Sequence, residues 1–185
     1  MKYYSEIFGG AKKLIFPLED RKVLEGLGPG EPILISGWLL CGRDATHRKL
    51  LQEIKAGRFS FDFTNQAIYY VGPSPAPFGK PIGAAGPTTS SRMDAYTPAL
   101  LEMGLAACIG KGKRSTAVKE ALVKYKGVYL ATFGGAGAFL ASFIEKVEPI
   151  AWKELGPEAF FRIRVTNFPA IVINTIDGRD FYEQI

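Results

Sequence analysis

Nine residues near the middle of the chain, Gly86-Pro87-Thr88-Thr89-Ser90-Ser91-Arg92-Met93-Asp94, join a turn-forming Gly-Pro to four consecutive hydroxyl side chains and an arginine. A helix signal follows within a few residues. Backbone N–H groups, hydroxyl donors and a guanidinium fork near a helix N-terminus are the set an anion requires. A polar surface loop ending in a helix cap has the same local composition, so the stretch has to be read with its surroundings. Two more cations stand at comparable places. Arg43, in Cys41-Gly42-Arg43-Asp44, sits where an apolar run hands over to a helix, a frequent ligand position in α/β proteins. An exposed arginine in a surface turn would look the same. Lys111, in Gly110-Lys111-Gly112, stands at a strand end, and the flanking glycines let the backbone approach a ligand closely. A flexible turn with a solvated lysine is the plainer alternative. The upstream glycine and spacing of a Walker A loop are missing.

Composition narrows the chemistry. The 185 residues, 47% hydrophobic and 12% aromatic, suffice for one domain with a real core. Cys41 and Cys108 are the two cysteines, with no Cys-x-x-Cys, and His47 is the single histidine. Neither a zinc site nor a four-cysteine iron–sulfur site can be assembled from this chain alone. The net charge is +5, from 23 Lys+Arg against 18 Asp+Glu, and the pI is near 9.2. The basic residues are dispersed; the densest stretch is Lys111-Gly112-Lys113-Arg114. Nucleic-acid binders concentrate them on one face or in runs; a small anionic ligand or an acidic partner subunit accounts for the excess as well as nucleic acid does. No apolar run approaches the ~20 residues of a membrane span. Two cysteines and no signal-like N-terminus point to the cytoplasm.

The elements that must hold these residues follow from periodicity. Residues 1–12 read as an N-terminal extension and Lys13 to Pro17 as a short strand. Ile33 to Leu40 is a buried strand. Asp44 is the expected N-cap of a helix through Ala56, with Gly57 as its stop. His47 falls in the first turn, where a lone histidine is more often structural or exposed than catalytic. Phe59, Phe61 and Phe63 alternate along an extended segment. Ala67 to Val71 is a strand, broken by the rigid connector Gly72-Pro73-Ser74-Pro75-Ala76-Pro77. Thr97-Pro98 starts a helix that ends at Gly104. Leu105 to Ile109 is a strand, Ser115 to Tyr125 a helix and Val128 to Thr132 a strand. Gly134-Gly135-Ala136-Gly137-Ala138-Phe139-Leu140 is a small-residue strand-to-helix junction that could bind an anion through backbone N–H groups or, the preferred reading, pack helix closely on sheet, where only Gly and Ala fit. Ile144 to Ala151, Phe160 to Val165 and Ile171 to Ile173 are further strands, and Asp177-Gly178 signals a terminal hairpin. The pattern predicts a single α/β domain with mixed sheets, the early and C-terminal strands forming a second sheet.

Taken in order, Ser36-Gly37 through Arg43-Asp44-Ala45-Thr46-His47, then Gly86 to Asp94, then Ile109-Gly110-Lys111-Gly112, resemble the β subunit, or C-terminal domain, of class I fumarate hydratases. The related L(+)-tartrate dehydratases share the pattern. Val147-Glu148, Glu154-Leu155-Gly156-Pro157-Glu158-Ala159 and Asn167-Phe168-Pro169-Ala170 continue it. The likeness runs from about residue 13 to about residue 182. Ser91 and Thr46 stand where the family often has Gly or Ala and Ala, both small changes.

The resemblance implies a swivelling β/β/α three-layer domain. It implies an iron–sulfur hydro-lyase that interconverts fumarate and (S)-malate, active only with a cluster-bearing α subunit, possibly as α2β2. The [4Fe-4S] cluster would belong to that partner. Planar carboxylates at both ends of the dicarboxylate suit Arg43 and Arg92, and Lys111 adds a point charge. Thr88 matches the family's threonine at the reacting carbon, in a proton-transfer or positioning role. Thr89 either hydrogen-bonds the substrate or caps the turn. Tartrate dehydratase is the alternative within the same class, and a non-catalytic anion-binding module the remoter one.

Overall fold

The structure is a computed structural model that describes residues 6–184. Residues 1–5 of the expected extension, and residue 185, lie outside the described residues. Phe8 is already part of the domain: it is buried, with its ring edge-on to Phe133 at 6.0 Å.

Strand β1 (Lys12–Phe16) leads through a 3-10 turn into β2 (Pro32–Cys41). Then come α1 (Asp44–Lys55), β3 (Ala67–Tyr69), α2 (Thr97–Glu102), β4 (Ala107–Gly110), α3 (Thr116–Lys124) and β5 (Val128–Ala131). The short α4 (Gly137–Ala141) precedes β6 (Ile144–Ala151) and β7 (Phe160–Asn174). The strands form one seven-stranded sheet in the order β1-β2-β3-β4-β5-β7-β6, with β2 also paired to β7. Strands β1 to β5 are parallel to their neighbours; β7 is antiparallel to β2, β5 and β6. The extra β2–β7 ladder carries the sheet round from β2 through β3, β4, β5 and β7 back to β2, so it is partly closed.

The expected second sheet is therefore not a separate one. Its two C-terminal strand signals, Phe160 to Val165 and Ile171 to Ile173, belong to the single 15-residue β7. Pro169 does not interrupt the strand: it lies opposite Leu34, and its carbonyl accepts a hydrogen bond from Thr132 Oγ1 at 2.8 Å. The terminal hairpin shrinks to one bridge, Asn174 to Asp180, followed by a 3-10 turn. Phe59, Phe61 and Phe63 form no strand, but their rings pack in series onto Phe160.

Alternation sorts the strand residues between two cores. One face gathers Ile33, Ile35, Leu39, Tyr69, Ile109, Leu130, Ile163 and Val165. The other gathers Leu40, Ile68, Tyr70, Cys108 and Tyr129 against Leu50 of α1, Leu100 of α2 and Leu122 of α3. A bulge maintains this sorting along β7. Gly37 pairs with Val165 and Ile35 with Phe168, so two residues of β7 oppose one of β2. The inward set switches from Ile163 and Val165 to Phe168, Ala170 and Val172, as a bulge dictates. Asn167, inside the bulge, has φ 54.

Gly37 is what makes that corner possible. Its φ is 95, and a Cβ there would lie 2.1 Å from the backbone oxygen of Phe16. Gly37→Ala is expected to lower the unfolding free energy by at least about 2 kcal/mol, because the strained φ and a clash with immovable backbone add. Urea denaturation of the two proteins checks this.

Candidate active site

The carboxyl ends of parallel strands converge on one rim, and each delivers a segment singled out in the sequence. After β2 comes Arg43, which is the N-cap of α1; Asp44 is the first helical residue rather than the cap. The Asp44 side chain turns instead to the arginines. Its two oxygens accept from Arg92 Nε at 2.8 Å and Arg92 Nη2 at 2.7 Å. Arg43 Nε reaches the same carboxylate at 3.3 Å. Glu158 completes the group: Oε1 pairs with Arg43 Nη2 at 3.1 Å, and Oε2 accepts from the Ala45 N–H at 2.7 Å, satisfying a free donor of the helix start.

After β3, the loop 86–94 is fixed to two strand ends. Thr88 N–H donates to the Tyr70 carbonyl at 2.8 Å, and Ser90 N–H to the Lys111 carbonyl at 2.9 Å. Ser90 Oγ accepts from Lys111 N–H at 3.0 Å and from Tyr129 OH at 2.9 Å. Thr89 and Lys111 thus form a parallel bridge. Gly110 is required beneath them, since a Cβ there would meet Ser90 Oγ at 2.0 Å. Lys111 runs along Gly134, whose added Cβ would meet Lys111 Cδ at 3.4 Å. The 134–137 segment does pack closely: Gly137 O accepts from Ala85 N–H at 3.0 Å, against the approach to the loop rather than against the sheet.

Arg43, Thr88, Thr89, Arg92 and Lys111 therefore gather at the ends of β2, β3 and β4. The two arginines share a counter-ion. The hydroxyls of Thr88 and Thr89 and the ammonium of Lys111 make no hydrogen bond or ion pair among the described residues. They are the groups open to a ligand.

Sequence reasoning missed the support beneath this rim. The Arg114 side chain has no exposure, yet it is ion-paired with Asp94 at 2.8 Å. It donates to Thr97 Oγ1 at 2.7 Å and lies over the rings of Tyr70 and Tyr129 at 5.4 and 4.9 Å. Burial works to lower its pKa, but Tyr70, Cys108 and Asp94 outweigh that and the net shift is upward. The other Asp94 oxygen accepts from Ser115 N–H at 2.7 Å. One carboxylate thereby ties the end of the 86–94 loop to the segment following Lys111. The only sequence signal was that Asp94 closes the motif and Arg114 closes the basic stretch.

His47, whose role the sequence left open, is fully buried. Its Nδ1 hydrogen-bonds the Arg43 carbonyl at 2.8 Å, and Nε2 is buried without a partner among the described residues. Tyr70 meets its ring edge-on at 5.3 Å. Burial lowers its pKa from 6.5 to about 4, helped by Arg114 and opposed by the Arg43 carbonyl and Asp44.

Comparison with known proteins places the chain in a family. The model of the family described as Fumarase C-terminus matches residues 12–185. The chain belongs to that family. It is 40% identical over 154 residues to "Fumarate hydratase class I, anaerobic" of Escherichia coli K12, a match covering 82% of this chain and 28% of the relative. "Fumarate hydratase 1, mitochondrial" of Leishmania major is 38% identical over the same shares. The "Putative L(+)-tartrate dehydratase subunit beta" of Methanocaldococcus jannaschii is 30% identical, over 89% of this chain and 88% of that one. The chain thus spans little more than a quarter of the fumarate hydratases it matches, but nearly the whole of a β subunit.

Two outcomes test this geometry. Arg114→Met leaves Asp94 without its buried counter-charge and is expected to cost about 3–5 kcal/mol of stability, read by urea denaturation. His47 gives a pH signature. The unfolded chain takes up a proton near pH 6.5 that the folded chain refuses until about 4. Its contribution is complete above the unfolded value and is lost as pH falls towards the folded one. Wild-type stability should drop by about 2 kcal/mol more than that of His47→Gln between about pH 7 and about pH 5.

Proposed function

We propose that this chain is the β subunit of an iron–sulfur hydro-lyase that hydrates fumarate to (S)-malate together with a cluster-bearing α subunit. One observation carries the reading: Arg43, Thr88, Arg92 and Lys111 converge on one rim, in a chain whose fumarate hydratase relatives extend far beyond the matched region. We take residues 1–185 as one domain, the swivelling part of the enzyme, working in the cytoplasm in a hetero-oligomer such as α2β2.

A [4Fe-4S] cluster does not fit this chain. Cys41 and Cys108 are both buried and lie in different cores, so they cannot ligate one group. Held by the α subunit, the cluster would supply Lewis-acid chemistry. This chain contributes the rest of the electrostatics. Arg43 and Arg92 clamp the carboxylates with planar forks. Lys111 and Arg92 stabilise the charge that develops on the carboxylate as the neighbouring carbon loses its proton. Thr88 stands at that carbon to hold or move the proton. Its hydroxyl is a weak base unless Arg92, a carboxylate of the partner or the bound substrate activates it. Thr89 adds a hydrogen bond to the substrate.

The match over 88% of the length of a tartrate dehydratase β subunit favours L(+)-tartrate as the second reading. Turnover of fumarate, (S)-malate and L(+)-tartrate by the reconstituted pair separates the two. In that pair, Arg92→Ala should lower kcat/KM by at least about 10²-fold while the cluster's visible absorbance is retained. Wild-type-like activity in the variant overturns the site assignment. The chain alone is expected to be inactive.

A further inference from the structure

The connector between β3 and the 86–94 loop carries an exposed aromatic ring. Phe78 is 107% exposed, the most exposed large hydrophobic among the described residues. Its neighbours Pro75, Ala76, Pro77 and Pro81 are exposed as well, and Lys80 is the one charge among them. Burying a phenyl ring is worth about 1.5–3 kcal/mol, and a contiguous run of exposed apolar residues around such a ring is the kind of surface that marks an interaction site.

The loop is built to hold it there. Its neck is pinched: Ser74 N–H donates to the Ala84 carbonyl at 3.1 Å, and Ser74 Oγ accepts from Ala84 N–H at 2.9 Å. Only glycine fits at Gly83, where a Cβ would lie 2.4 Å from the carbonyl oxygens of Ser74 and Pro75. Within the neck, Lys80 N–H closes a turn onto the Pro77 carbonyl at 3.1 Å. Four prolines remove most of the remaining freedom. A ring presented on so stiff a loop loses little entropy when it docks.

The loop also adjoins the candidate site. A Cβ on Gly72, at its base, would meet Arg43 Cδ at 2.8 Å. Between the loop and the segment bearing Glu158 runs a groove of about 310 Å³, lined by Pro73, Ile82, Pro149, Pro157 and Phe161. Gly72 and Glu158, the chain neighbours of the lining residues Pro73 and Pro157, both adjoin Arg43.

We infer that Phe78 and its proline-rich loop are a docking anchor for the polypeptide that completes the active site. The partner surface it fits is an apolar pocket the width of a phenyl ring, with a carboxylate within reach of Lys80. The occupant is set by position and by kinship: the base of the loop adjoins Arg43, and a relative matched over 88% of its length is named as a subunit beta. The inference rests on the two-polypeptide reading above.

The test pairs the full chain with the polypeptide of the same genome that carries the remainder of a class I fumarate hydratase, and measures their dissociation constant. Phe78→Ser is expected to weaken association at least about tenfold, as for a central aromatic anchor. Ile15→Ser removes another exposed hydrophobe, 67% exposed on β1, and should leave association unchanged. Both variants should melt like wild type. Wild-type affinity in Phe78→Ser, or equal weakening in Ile15→Ser, overturns the anchor while leaving the two-polypeptide reading standing. Failure of the wild-type chain to bind that polypeptide overturns both.

Discussion

The ladder between β2 and β7 is the constraint on which the rest depends. It pairs nearly every residue of β2, from Pro32 to Cys41, with the antiparallel β7. Because the two run in opposite directions, the start of β7 lies beside the end of β2, where Cys41 faces Phe161. Glu158, just before that strand, is thereby delivered to Arg43 and to the first turn of α1. The same ladder joins the far edge of the sheet back to β2. Strands far apart in sequence therefore present their carboxyl ends on a common rim. The glycine corner at Gly37 and the bulge opposite it let β7 bend without exposing its apolar face.

Electrostatics at the rim follow a division of labour between carboxylates. Asp44 lies between Arg43 and Arg92, so two guanidinium groups that repel each other are held in one place. Asp94 does the corresponding work below the surface, neutralising Arg114 and fixing the backbone after Lys111. Taking an arginine wholly out of water is tolerable only with such pairing and with its other donors satisfied. Thr97 and the two tyrosine rings supply that satisfaction. Lys111 has no counter-ion among the described residues. The unbalanced positive charge thus sits beside Thr88 and Thr89, where an incoming carboxylate would meet it.

Much of this was legible in the sequence, and what was not has physical reasons. The α/β core could be read because each element is short, periodic and bounded by Gly or Pro. Arg43 and Lys111 could be singled out because each stands at a strand end, and Arg92 because it closes a run of hydroxyls, whereas Thr88 was separated from its neighbours only by the family resemblance. The closure of the sheet could not be read. Pro169 and the polar stretch around Asn167 look like a break, yet a strand can pass both when a bulge absorbs the extra residue. The role of Asp44 was misread for a related reason. Its position before a helix suggests a cap, but two guanidinium groups compete for it more strongly than one backbone N–H. Arg114 was invisible as a buried residue because its stretch reads as a solvated turn. Only the tertiary positions of Tyr70, Tyr129 and Asp94 make it a core residue.

The exposure of the rim bears on why such a site would need covering. Arg92 is 49% exposed and Arg43 28%, so water screens both. At 4 Å a pair of unit charges is worth about 1 kcal/mol in water and about 4 kcal/mol in the partly shielded environment of a protein surface. Arginines in this setting can attract a dicarboxylate but stabilise little of the charge that builds up when a carbon next to a carboxylate is deprotonated. A polypeptide closing over the rim would displace that water, strengthen each charge–charge interaction, and relieve Asp44 of its position as the sole carboxylate shared by both forks. The same closure would press on the neighbouring proline-rich loop. Under the proposed function, binding strength and catalytic strength at the rim would arise together, from one event of burial.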